Sequence, residues 1–150
     1  MVSAEATPGA VAAPNRAMAG AAAGVVAGIP LGIIMQARDM MPMVGDLIGQ
    51  ASVGVGWLVH LFNSALFGAV FALLLARWFA RPAVTIALGL LYGLAWWVVG
   101  ALLIMPAWLG MSEMIFVVDD NAWWSLLGHL IYGLILGAGV SLTRSMMQRS

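Results

Sequence analysis

Four long apolar stretches, each free of charge, alternate with short polar connections along this chain. They cover about residues 17–36, 53–76, 83–105 and 122–142. Each is close to the ~20 residues that cross a ~30 Å hydrocarbon core at 1.5 Å per residue. Backbone groups in lipid must find their partners within the segment, so such stretches are forced into helices. The period-two alternation of a barrel is missing, and the run Leu73-Leu74-Leu75 argues against one. The pattern predicts an all-α membrane protein, a bundle of four transmembrane helices.

Residues 1–15, rich in Ala, Pro and Gly, read as a disordered cytoplasmic tail. They lack the basic stretch of a secretory signal, so the first span reads as retained. Residues 16–150 then form a single transmembrane domain. Arg16, Arg77, Arg81, Arg144 and Arg149 flank one end of the spans, whereas Arg38 shares the other with Asp39, Asp46, Glu113, Asp119 and Asp120. Arginine bias over short connections sets orientation, which places both termini in the cytoplasm. Trp57, Trp108, Trp123 and Trp124 near the outer ends, with Trp78 at the inner end, suit an aromatic belt. Trp96 and Trp97 sit inside the third span, where they pack in the bundle or touch something bound. Asn121 is a good helix N-cap for the fourth span.

The spans also match in pairs. The segment from His60 to Gly68 is echoed, 69 residues on, by the segment from His129 to Gly137. In each copy a small residue (Ser64, Gly133) follows the histidine by four places and a glycine (Gly68, Gly137) by eight. The connections echo each other more loosely: Met41-Pro42-Met43-Val44-Gly45 against Met105-Pro106-Ala107-Trp108-Leu109-Gly110. This predicts two parallel helical-hairpin repeats, about residues 16–78 and 82–145, related by an axis along the membrane normal. Both imidazoles are then expected ~10 Å below the outer boundary. They face each other if that axis runs between the second and fourth helices.

Composition narrows the chemistry. The chain is 63% hydrophobic and 8% charged, with a mean hydropathy of +1.02; a soluble domain carries about a quarter charged residues. Cysteine is absent, which removes disulfides, thiolate metal sites and cysteine nucleophiles. All six cations are arginine, so Schiff-base and phosphate-loop lysines are excluded. Net charge is zero with no basic cluster, so no nucleic-acid partner is expected. No acid lies within a span to serve a proton-coupled transporter or to orient a Ser64–His60 pair, and polar lining for a channel is sparse.

An intramembrane histidine is a candidate for function, and three readings compete for the pair. In the first, His60 and His129 are packing residues above small-xxx-small faces, each donating to a carbonyl of a neighbouring helix, such as one near Pro30. In the second they are the axial ligands of a b-type haem. Gly68, Gly133 and Gly137 then make room for the porphyrin, and Trp97 or Trp96 packs on its edge; Arg38 alone is available to a propionate at that end. In the third, soft thioethers at the outer connections, Met41, Met43, Met111 and Met114 among them, bind copper as Cu(I). Methionine is also an ordinary apolar filler.

Two spans repeated, with His129-Leu130-Ile131-Tyr132-Gly133-Leu134-Ile135-Leu136-Gly137 in the last, resemble small, uncharacterised bacterial inner-membrane proteins of the YagU-like type. The first copy departs from the pattern, with Asn63-Ser64 in place of Tyr132-Gly133. The resemblance implies a four-span bacterial membrane protein and brings no activity or ligand with it. The expected role is that of a non-enzymatic small integral membrane protein, a subunit or partner of a larger membrane complex. Its partners are the lipid bilayer and other membrane proteins or itself. The alternatives are a cytochrome holding haem b between His60 and His129, or a copper-binding outer face.

Overall fold

Apolar runs of this length become helices, and the computed structural model, which describes residues 13–74 and 81–147, is helical between its connections. Helix α1 spans Ala13–Ala37, α2 Met41–Asp46, α3 Val53–Leu74 and α4 Pro82–Trp96. A π-helical run, Trp97–Ile104, continues α4 into the short α5, Met105–Trp108, and a 3-10 turn at Ser112–Met114 leads to α6, Asp120–Met147. Four rods are long and apolar enough to cross a membrane: α1, α3, Pro82–Trp108 and α6. The chain is therefore a multi-pass integral membrane protein in contact with lipid. Residues 13–15 belong to α1, not to a tail; residues 1–12, Arg77, Trp78 and Arg149 lie outside the described residues.

Local chemistry sets the helix ends. Pro82 starts α4 behind an extended Arg81 (φ −137°, ψ 145°), because proline needs no partner for a missing N–H at a first turn. The carboxylate of Asp119 accepts the Ala122 N–H at 2.8 Å and caps α6. Asn121, the expected cap, instead accepts from Arg38 Nε at 3.0 Å. Pro106 deprives the Leu102 carbonyl of its usual helical donor. The Phe116 N–H returns to that carbonyl at 2.9 Å, which folds the second connection back onto the third rod.

Helix α1 packs against α3 on one flank and α6 on the other, and α4 packs against α6. Hydrophobicity cannot drive these contacts in lipid, so they rest on close approach of small residues. In the α1–α3 pair, a Cβ on Gly24 would strike the Ser64 carbonyl, and one on Gly20 the Gly68 carbonyl. In the α4–α6 pair, Gly93 and Gly89 lie as tightly on the carbonyls of His129 and Gly133. Gly20 and Gly89, like Gly24 and Gly93, are 69 residues apart, the spacing of the two histidines. The registers nevertheless differ by a turn, because Gly24 meets Ser64 whereas Gly93 meets the residue four places before Gly133.

The next turn differs too. Gly28 leaves room for the Ser64 and His60 side chains, whereas the position 69 residues on is Trp97. That indole is buried, and its Nε1–H donates to the Ala122 carbonyl at 3.0 Å. A bulky ring thus stands where the first pair has a bare backbone. The helix widens from α to π at that residue and stays so to Ile104. The two pairs close on each other through aromatics. Phe67 stacks on Trp96 (centroids 3.9 Å apart), Tyr92 Oη donates to the Phe67 carbonyl at 2.9 Å, and Tyr132 Oη donates to the Ser64 carbonyl at 2.9 Å. The shared core is built from Ala27, Leu31, Phe71, Leu136 and Val140.

Candidate functional site

Bridged at Phe67–Trp96, the two helix pairs enclose a cavity of about 450 Å³. It extends from the two connections down to Ser64 and Tyr132. All four spans contribute wall: Leu31 and Met35 from α1, His60, Asn63 and Phe67 from α3, Trp96, Ala101 and Met105 from the third rod, and Ala122, Ser125 and His129 from α6. The walls are mostly apolar, with a few convergent polar groups, the usual character of a small-molecule site. Asp119 is the one carboxylate among the lining residues.

The two histidines meet in this cavity and are held differently. His60 is buried, and its ring turns toward α1, where Nε2–H donates to the Gly28 carbonyl at 2.8 Å. Its neighbour Ser64 donates to the His60 carbonyl at 2.8 Å, and Trp57 meets the ring edge-on. The expectation that the rings face each other across an axis between α3 and α6 is therefore corrected: α1 captures the first. The acceptor is near Pro30, as the packing reading expected. His129 stays on its own helix, with Nδ1–H donating to the Ser125 carbonyl at 2.8 Å and the Ser125 hydroxyl 3.4 Å away. This bond fixes the proton on Nδ1 of the neutral ring and leaves a bare Nε2, which has no partner among the described residues.

A haem bridging the two imidazoles does not fit these residues. The Nε2 of His60 holds Gly28. The glycines expected to make room are filled by neighbouring backbone: Gly68 by Gly20, Gly133 by Gly89 and Gly137 by Thr85. Trp97 is committed to Ala122 and does not line the cavity; Trp96 does. Of the methionines singled out from the sequence, Met43, Met111 and Met114 line the cavity, whereas Met41 is fully buried against α3 and does not. Met35, Met40 and Met105 join them, a convergence the sequence signalled only as crowding of methionine near both connections. Among the described residues, no three His, Asp or Glu side chains gather to hold a metal.

Across the mouth, Arg38 reaches from the end of α1 to Asn121 and forms an ion pair with Asp120. Its guanidinium carbon lies 5.9 Å from the Trp124 ring centre. Trp108 Nε1–H donates to the Leu47 carbonyl at 3.0 Å and links the second connection to the first. Comparison with known families, curated proteins and solved structures finds no match.

Proposed function

We propose that this chain is a non-enzymatic membrane protein that holds a small ligand in the cavity between its helix pairs. It serves as a small subunit or partner within a larger membrane assembly. The observation that carries this reading is the cavity itself, with the bare Nε2 of His129 presented among soft apolar walls. Two polar side chains of its wall have structural partners: Ser64 donates to a backbone carbonyl, and Asp119 caps a helix. Binding by shape with one polar handle is what such a wall can do.

The same reading takes the two pairs as copies of one hairpin, parallel in the membrane, with both termini on the cytoplasmic side of a bacterial inner membrane. The 69-residue spacing of His60/His129, Gly20/Gly89 and Gly24/Gly93 supports the duplication. The arginine distribution supports the orientation. A protein partner has the third rod to meet: it is the least covered span, with 22% of its apolar window buried, and Leu91, Val98 and Val99 are exposed on it.

Native mass spectrometry of the detergent-purified protein tests the ligand reading. A retained adduct is expected on the wild type and should be absent from Ala101→Phe, which fills the cavity. An adduct that persists in the filled variant would refute the site. Photo-crosslinking from Leu91 in cells tests the partner; recovery of lipid adducts alone removes it.

A further inference from the structure

Methionine in a core is a flexible filler that closes gaps. Met41 behaves so, fully buried against α3. Six others line one cavity: Met35 from the end of α1, Met40 and Met43 from the first connection, Met105 from the third rod, and Met111 and Met114 from the second connection. Two connections far apart in sequence thus deliver thioethers to a shared void. Thioethers are soft, neutral donors and prefer Cu(I) to the hard cations that carboxylates take.

Deeper in the same cavity, His129 has the set-up of a metal-binding imidazole. Its Nδ1–H is anchored on a backbone carbonyl at 2.8 Å, which orients the ring and leaves Nε2 as a lone-pair donor. At 1.5 Å per residue it lies about 10 Å below Ala122 at the cavity wall, so mouth and floor are successive positions along one route. Electrostatics favours entry of a cation. This end of the molecule carries Asp39, Asp46, Glu113, Asp119 and Asp120 against the single Arg38, whose charge is already paired with Asp120. Of these carboxylates, Asp119 lines the cavity itself.

We propose that the cavity is a Cu(I)-binding vestibule, in which methionines of both connections take the ion at the mouth and the Nε2 of His129 offers a second donor below. The inference rests on the cavity being a binding site and names its ligand.

Silver(I), an air-stable stand-in for Cu(I), is titrated into the full chain in detergent with the methionine methyls carbon-13 labelled. The methyl signals of Met43, Met111 and Met114 should shift, and those of Met18 and Met146, which are exposed outside the cavity, should not. The triple variant Met43→Leu, Met111→Leu, Met114→Leu keeps apolar volume and should bind silver at least about tenfold more weakly, about 1.4 kcal/mol. His129→Ala should spare the shifts at the mouth and lower the number of ions bound. Equal silver affinity in wild type and triple variant, or shifts at Met18 and Met146 as large as at the mouth, overturns the proposal. A fluorescent apolar probe separates the two claims. Silver failing while the probe binds wild type but not Ala101→Phe removes copper and keeps the cavity; failure of both removes the site.

Discussion

The α1–α3 pair and the α4–α6 pair use the same device, a glycine face laid on a partner's carbonyls, and reach different ends. In the first the device runs on through Gly28, and the helices stay close enough for the imidazole of His60 to reach across to α1. In the second it stops at Trp97, and His129 bonds only within its own helix. Where Gly28 meets the first histidine, Trp97 stands at the matching position of the second pair. Two histidines at matching positions need not share a ligand. Here one ring anchors the scaffold, and its counterpart faces the space that the scaffold's other half fails to close.

The largest effect should come from Trp97. Trp97→Ala removes a buried indole and its hydrogen bond, at a cost of about 3 kcal/mol in detergent unfolding. The same variant should weaken cavity binding, because the Trp97–Ala122 bond holds a cavity wall in place; unchanged binding would mean that it does not. Next come the crossings. Gly24→Leu and Gly93→Leu both drive a side chain into a backbone carbonyl, and each should cost about 2–3 kcal/mol. Unequal losses would show that the two faces are not packed alike.

The histidines sharpen the contrast. His60→Ala breaks a bond between helices and should cost about 1–2 kcal/mol. His129→Ala breaks a bond within one helix. Helices persist in the membrane-unfolded state, so that bond adds little to association, and the variant should stay within about 0.5 kcal/mol of wild type. Equal losses in urea or SDS titrations would erase the distinction. The smallest effect belongs to Arg38. Its partner Asp120 has a side chain 74% exposed, so Arg38→Ala should cost about 0.5 kcal/mol or less at low salt. In melting curves that difference should fade as salt is raised.

Much of this was open to reading from residue order. The span positions, the pairing of His60 with His129 and the small faces beneath them all follow from local pattern. Gly20/Gly89 and Gly24/Gly93 carry the same 69-residue signal and would have emerged from extending the match upstream. Asn121 was the expected cap of the fourth span, and geometry alone chose Asp119 in its place. The cavity could not be read: Trp96 and Trp97 alike were expected to pack in the bundle or touch a ligand, and the structure packs Trp97 on Ala122 and puts Trp96 in the cavity wall. Met35 and Met105, at rod ends, are indistinguishable by pattern from Met41 in the core.

Residue order by itself determined that there are four helices and that they lie in a membrane. A polypeptide in hydrocarbon must satisfy its own backbone, and length and polarity alone then dictate the outcome. Only the folded arrangement decided which helices touch, which histidine is spent on a carbonyl and where the void remains. Between helices already surrounded by lipid, association depends on side-chain shape and the register of close contacts, and an apolar stretch records neither.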